Sequence, residues 1–390
     1  MSATMKQLVA TLALLPAVFY AQPARTQIPS RASTRAVWTK ERAQAWADST
    51  GWLVGSNFIP STAINQLEMW QAATFDPGTI DRELGWAESL GFNTMRVFLH
   101  NLLWTQDSKG FLERMDQFLT IAQRHHIRPM FVLFDAVWDP LPHLGPQRAP
   151  IPHLHNSGWV QSPGAAVLSD PARYDALRGY VQGVVGRFAN DRRVVAWDIF
   201  NEPDNTNRPA YIAYEPIKKP ALTLSLMRKA FEWARAMNPS QPLTAAPWLG
   251  DYLDTARMRP ATKFMLDNSD VITFHSYDDS ATVEKLITAL ERYGRPTICS
   301  EYMARPRGST FQSILPIFAR RHVGAINWGF VSGKTQTIYP WDSWNNEYTS
   351  EPKVWFHDIF RVNGTPYDSA EVAFIRALTR TPARLRGLEN

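Results

Sequence analysis

Residues 194–203 read Val194-Val195-Ala196-Trp197-Asp198-Ile199-Phe200-Asn201-Glu202-Pro203. A β-branched and aromatic run of this length fits a buried strand, which here stops abruptly on an Asn-Glu pair before proline breaks the chain. The pattern recurs. Seven further apolar runs occupy 52–58, 92–99, 128–135, 242–248, 271–277, 296–301 and 324–330, and stretches of helical periodicity lie between them at 80–90, 111–125, 174–190, 222–237, 282–293 and 311–321. Strands alternating with helices over roughly 300 residues predict an α/β fold, a single-domain (β/α)8 TIM barrel. An open doubly wound sheet usually carries a glycine-rich phosphate turn after its first strand, and none follows Gly55.

Two connections are too long for ordinary loops: 136–173, with Pro140, Pro142, Pro146, Pro150, Pro152 and Pro163, and the aromatic 331–354. They follow the third and eighth strands, so both belong on the C-terminal rim, where this fold builds active sites. Composition agrees with a large packed domain. The 390 residues are 45% hydrophobic, enough for a sizeable core, and 12% aromatic with 15 Trp, which suits a large flat ligand. Net charge is +5, but 41 basic and 36 acidic residues are spread along the chain, which argues against nucleic acid as a partner. A single cysteine excludes an intrachain disulfide framework and every multi-cysteine zinc pattern.

The N-terminus has Lys6, an apolar run over 8–21 and then Gln-Pro-Ala-Arg. That run is too short to span a bilayer and matches a secretory signal peptide, with cleavage expected after Ala21 although Phe19 sits where a small residue is preferred. The expected organisation is a signal peptide at 1–21, a flexible leader at 22–45 and one catalytic domain at 46–390. The product would be secreted or periplasmic, without stable membrane insertion after processing.

Glu202 ends the fourth strand, and Glu301 ends the seventh in Pro296-Thr297-Ile298-Cys299-Ser300-Glu301. Both therefore project into the barrel mouth. Two facing carboxylates in an aromatic cleft suit glycosidic bond cleavage, one protonated to assist the leaving oxygen and one ionised to meet an oxocarbenium-like carbon. Arg96 ends the second strand, His275 and Tyr277 the sixth, and Trp328 the eighth. Arg96 would hold a carboxylate ionised, Tyr277 would donate to it, and Trp328 would floor a sugar ring.

These residues resemble the clan A glycoside hydrolases, most closely glycoside hydrolase family 5, the cellulase and mannanase group. The resemblance covers roughly residues 50–345 and rests on the Asn-Glu-Pro of strand four, the glutamate of strand seven, the arginine of strand two, the His-x-Tyr of strand six and the tryptophan of strand eight. It implies a retaining double displacement on a β-linked glycan, with Glu202 as acid/base, Glu301 as nucleophile and Asn201 binding the sugar 2-hydroxyl. Arg96, His275, Tyr277 and Trp328 match supporting positions. The family usually has a histidine after strand three, where this chain has Asp135; Asp135 or a residue of the following loop would take over that contact. The partner expected is an oligo- or polysaccharide, the working form a monomer, and neither cofactor nor metal is expected. Two other classes compete: a non-catalytic carbohydrate-binding barrel and a metal-dependent hydrolase on the same fold.

Weaker signals have structural readings beside functional ones. His153-x-His155 and His125-His126 are candidate metal ligands without acidic partners in phase. Cys299, two residues before Glu301, should share its face and either lines the site or fills the core. Trp70, Trp104, Trp138, Trp159, Trp248, Trp341 and Trp344 lie near strand ends and divide between sugar platforms and loop anchors, with Trp138 and Trp248 chosen as platforms. Arg305 and Arg307 read as solvated turns, and Asp198 as an organiser of the barrel interior.

Overall fold

The computed structural model describes residues 35–206 and 210–380. Eight strands form one sheet: β1 (Val54–Phe58), β2 (Thr94–Phe98), β3 (Arg128–Asp135), β4 (Ala196–Asn201), β5 (Leu243–Ala246), β6 (Ile272–His275), β7 (Thr297–Glu301) and β8 (Gly324–Asn327). All recorded pairings are parallel, in the order β5-β4-β3-β2-β1-β8-β7-β6. Hydrogen bonds of another kind close the ring between β5 and β6. Asp270 N donates to Leu243 O at 2.7 Å, Leu243 N to Asp270 Oδ2 at 2.8 Å, and the Thr244 and Thr273 hydroxyls meet at 2.8 Å. The fold is the expected TIM barrel, and all eight apolar runs contain a strand.

Helices Pro77–Ser89, Asn101–Arg124, Arg178–Arg187, Lys219–Ala236, Pro260–Asn268, Ser280–Glu291 and Phe311–Arg320 fill the connections. Local chemistry starts several of them. Asp76 accepts from Thr79 N, Asp279 accepts from Thr282 N, and Thr310 with Ser313 makes a reciprocal capping box. None of the helices among the described residues is long and apolar enough to cross a membrane.

The barrel interior is layered. Leu53, Met130, Ala196, Ile298 and Ile326 form an apolar floor that packs with Trp38. Polar Asn57, Arg96, Asp198 and Ser300 lie buried among the strands above it, and the site residues follow at the strands' C-terminal ends.

The leader drawn at 22–45 is too long. Lys40–Thr50 is a helix capped by Thr39, Trp38 is buried, and Arg35 Nη2 donates to Asp270 at 2.7 Å, so residues from 35 onward belong to the packed domain. Trp38 supplies the apolar surface that pins the segment. The signal-peptide reading and the rest of the leader lie outside the described residues.

Candidate active site

Arg96 organises the mouth. Fully buried on β2, it donates through Nε and Nη2 to Asp198 Oδ2 at 3.0 and 2.7 Å, through Nη2 to Asn201 Oδ1 at 2.7 Å, and through Nη1 to Asn57 Oδ1 at 2.9 Å and Glu301 Oε1 at 2.7 Å. Burial opposes its charge, but Asp198 and Glu301 outweigh that and raise its pKa. Asp198 thus has the interior role expected of it. Asn57 had no signal in the sequence. Its Nδ2 donates to Ser300 O and Asn327 O at 2.8 and 3.1 Å, tying β1 to β7 and β8.

Glu301 accepts from Arg96 on one oxygen and from Tyr277 OH on the other, the latter at 2.7 Å. Glu202 lies 2.7 Å from His275 Nδ1 and accepts from Asn205 Nδ2 at 2.8 Å. His275 also lies 3.5 Å from Glu301 Oε2, and its Nε2 is 3.1 Å from Ser300 Oγ. Among the described residues, Glu202, His275 and Glu301 form the one group of metal-ligating side chains close enough to share an ion, one atom of each lying within 4.8 Å of the others. The two carboxylates therefore approach to within 4.8 Å. Retaining pairs stand about 5–5.5 Å apart, whereas inverting pairs leave about 6.5–9.5 Å for a water.

Burial separates the charge states of these groups. Desolvation pushes Glu202 up to about 8, aided by Asp204 and opposed by Asn205, Arg96 and Lys219. Desolvation also raises Glu301, to about 7, with Glu202 adding to the rise while His275, Arg96 and Tyr277 oppose it. Burial lowers His275 to about 4, so the ring is neutral between the two acids. Glu202 is thus the more readily protonated and Glu301 the more readily ionised.

Backbone irregularities aim these side chains. The β4–β5 register shifts between Asp198 and Asn201, and the β6–β7 register shifts so that Phe274 faces Cys299 while His275 faces Glu301. Strict alternation therefore fails at both strand ends. Cys299 is buried in the hydrophobic core, with Sγ donating to Glu301 O, and does not line the site. Glu202 leaves its strand at φ 47°, a left-handed conformation uncommon for a residue with a side chain.

Asn201 is held at both ends of its amide, by Arg96 and by Asp135 Oδ1, which accepts from Nδ2 at 2.9 Å. Asp135 also accepts from Trp159 Nε1 at 2.7 Å and Val137 N at 3.1 Å. It orients Asn201 from behind and does not line the cavity. Burial raises its pKa to about 7.

The mouth encloses a cavity of about 540 Å³ bordered by Glu202, Glu301, Asn201, Tyr277 and six tryptophans: Trp138, Trp159, Trp248, Trp328, Trp341 and Trp344. The chosen platforms Trp138 and Trp248 are there. Trp70 is not: it is fully buried, with Nε1 donating to Phe98 O at 2.9 Å. Trp104 packs against Gly183 on the outside of the barrel. His125 bridges Glu88 and Asp81 at 2.9 and 2.8 Å on the surface, acidic partners supplied by a neighbouring helix. His153 and His155 bond separate carbonyls, of Tyr348 and Tyr339, and do not converge as ligands.

Two carboxylates with oxygens within 4.8 Å of each other, too close to leave the gap of an inverting pair and set among aromatic walls at the C-terminal mouth of a (β/α)8 barrel, are the arrangement used by retaining O-glycosyl hydrolases. The sequence matches the profile of the cellulase family, glycosyl hydrolase family 5, over residues 86–331. That is more than half of the chain, and the chain belongs to glycoside hydrolase family 5, a family of retaining enzymes. No curated protein matches it. Solved structures share the fold at low identity. An exo-β-1,4-mannosidase of Opitutaceae bacterium strain TAV5 has a TM-score of 0.57 at 18% identity, covering 86% of this chain but only 60% of that one. A β-1,4-D-mannanase of Cryptopygus antarcticus has 0.56 at 12%, covering 85% and 90%. A glycoside hydrolase of Streptomyces cattleya in complex with Manβ1-4GlcNAc has 0.55 at 13%, covering 85% and 82%.

Proposed function

We propose that the protein is an exported β-glycosidase in which Glu301 is the nucleophile and Glu202 the acid/base. The observation that carries this reading is the unequal setting of two carboxylates within 4.8 Å: Glu301 between Arg96 and Tyr277, Glu202 against neutral His275. Glu301 attacks the anomeric carbon while Glu202 gives its proton to the leaving oxygen. Glu202, now ionised, takes a proton from the water that resolves the glycosyl-enzyme. Trp328 floors the glycone ring, and Asn201 meets its 2-hydroxyl with the amide proton Asp135 leaves free. The intact pair favours catalysis over mere saccharide binding. The mannosidase and mannanase named above make β-mannosides the first substrates to try, with β-glucosides beside them. Export rests on the N-terminal pattern alone, and fractionation of expressing cells checks it.

The test is a panel of aryl β-glycosides and oligosaccharides run with Glu301→Gln and Glu301→Gly. Glu301→Gln should lose nearly all turnover, and azide should rescue Glu301→Gly with formation of the inverted glycosyl azide. Wild-type rates in Glu301→Gln would end the assignment.

A further inference from the structure

The loops after β3 and β8 are bonded into one wall. Trp138 and Trp344 stack at 5.4 Å with an 18° interplanar angle, and Trp344 Nε1 donates to His155 O at 2.9 Å. Asn156 N donates to Thr335 O at 2.9 Å, His155 N to Ser343 Oγ at 3.1 Å and His153 N to Gln336 Oε1 at 2.8 Å. In the strand order, β2 and β1 lie between β3 and β8, so the wall crosses that arc of the rim. Glu202, His275 and Glu301 stand at the ends of β4, β6 and β7, on the other arc. The acid Glu202, bonded by Asn205, marks where the leaving group departs; the wall meets Trp328 through Trp159, whose ring centroid lies 5.6 Å from it, on the side where the glycone's own chain would have to continue.

This wall carries an unused polar group. His155 is only 1% exposed yet borders the main cavity, its ring packed between Trp138 and Phe356. Its Nδ1 lies 2.8 Å from Tyr339 O, and a carbonyl only accepts, so Nδ1 carries the proton. Burial lowers the ring's pKa to about 4, and the neutral ring keeps Nε2 as a bare acceptor with no hydrogen bond among the described residues. Asn156 follows at φ 48°, borders the same cavity, and has both carboxamide atoms buried without a partner among the described residues. An apolar wall has no need of either group, and buried polar groups are normally paired.

We propose that His155, with Asn156 beside it, recognises a hydroxyl of the terminal glycone sugar at the blind end of the cavity, so that the enzyme removes single sugars from the non-reducing end. This rests on the catalytic reading above. His155 is a specificity-determining residue that accepts from a hydroxyl and takes no part in bond cleavage.

The test uses the aryl β-glycoside preferred in the panel, its 3-, 4- and 6-deoxy analogues, and a borohydride-reduced hexasaccharide of the same sugar. Wild type should lose at least about tenfold in kcat/KM on one deoxy analogue, His155→Phe should lose the same on the parent and be indifferent to that deoxygenation, and His155→Gln should recover part of the loss. Asn156→Gly keeps the left-handed backbone and removes the amide; it should raise KM more than it lowers kcat. The reduced hexasaccharide should shorten one residue at a time. Mid-length fragments at the earliest times, or His155→Phe and His155→Gln both discriminating like wild type, would overturn the proposal. Glu301→Gln separates the two readings: if it is inactive, a failure at His155 leaves the catalytic assignment standing, and if it is active, both readings fall.

Discussion

Arg96 illustrates how a single side chain sets the chemistry of the mouth. Its planar fork spans Asp198, Asn201, Asn57 and Glu301, a geometry that the compact ammonium of lysine does not reproduce. Arg96→Lys should therefore lower kcat/KM by roughly 10²-fold or more while far-ultraviolet circular dichroism stays native. The carboxylates give a pH prediction with a definite sign. On the proposed roles activity needs Glu301 ionised and Glu202 protonated, so kcat/KM should rise with pH as Glu301 titrates and fall as Glu202 does, at values near 7 and 8 respectively. With a dinitrophenyl leaving group that needs no proton, Glu202→Gln should keep the acid limb and lose the alkaline one. Stability moves the other way. The folded pKa of Glu202 lies near 8 against an ordinary 4.5, so burial costs nothing below about 4.5, penalises the folded state increasingly as pH climbs from 4.5 to 8, and adds no further penalty above that. Glu202→Gln should melt roughly 2–5 °C above wild type at pH 9 and level with it at pH 4.5, which scanning calorimetry reads directly.

At the scale of elements, the strands were legible because each is buried on both faces and reads as an unbroken apolar run. The carboxylates were legible because they end such runs. What escaped was whatever depends on pairing between distant segments. Cys299 and Glu301 are two apart and should share a face, but the register shift opposite His275 breaks the alternation. Asn57 sits in a short strand of Val-Gly-Ser-Asn-Phe whose composition does not mark it as the link between three strands. Tryptophans near strand ends look alike in sequence, so Trp70 in the core and Trp344 in the wall could be told apart only by their neighbours. His155 is the clearest case, since its partners Tyr339, Ser343 and Trp344 lie more than 180 residues away. Trp344→Ala removes both the stack on Trp138 and the bond to His155 O. It should raise KM at least about tenfold with a smaller change in kcat, because the wall binds sugar without touching the bond that breaks.

Across the whole molecule the barrel divides its labour by end, with chemistry at the C-terminal mouth and cohesion at the N-terminal floor. Asp270 is the floor's junction. Completely buried, it accepts from Arg35 at 2.7 Å, Trp38 N at 2.8 Å, Arg235 at 3.3 Å and Leu243 N at 2.8 Å. One carboxylate thus pins the segment before the first helix, anchors helix Lys219–Ala236 and closes the β5–β6 seam. Asp270→Ala would leave two arginines, both nearly buried, facing each other without a counter-charge, which typically costs about 3–5 kcal/mol. Asp270→Asn, which keeps the shape and one acceptor, should cost less. Because the junction lies a strand's length below the carboxylates, the folded fraction of either variant should retain kcat and KM within about twofold at 25 °C, while its denaturation midpoint in urea falls. A loss of kcat at an unchanged midpoint would mean that the floor and the mouth are coupled through the polar layer around Arg96, and that this division between cohesion and chemistry does not hold.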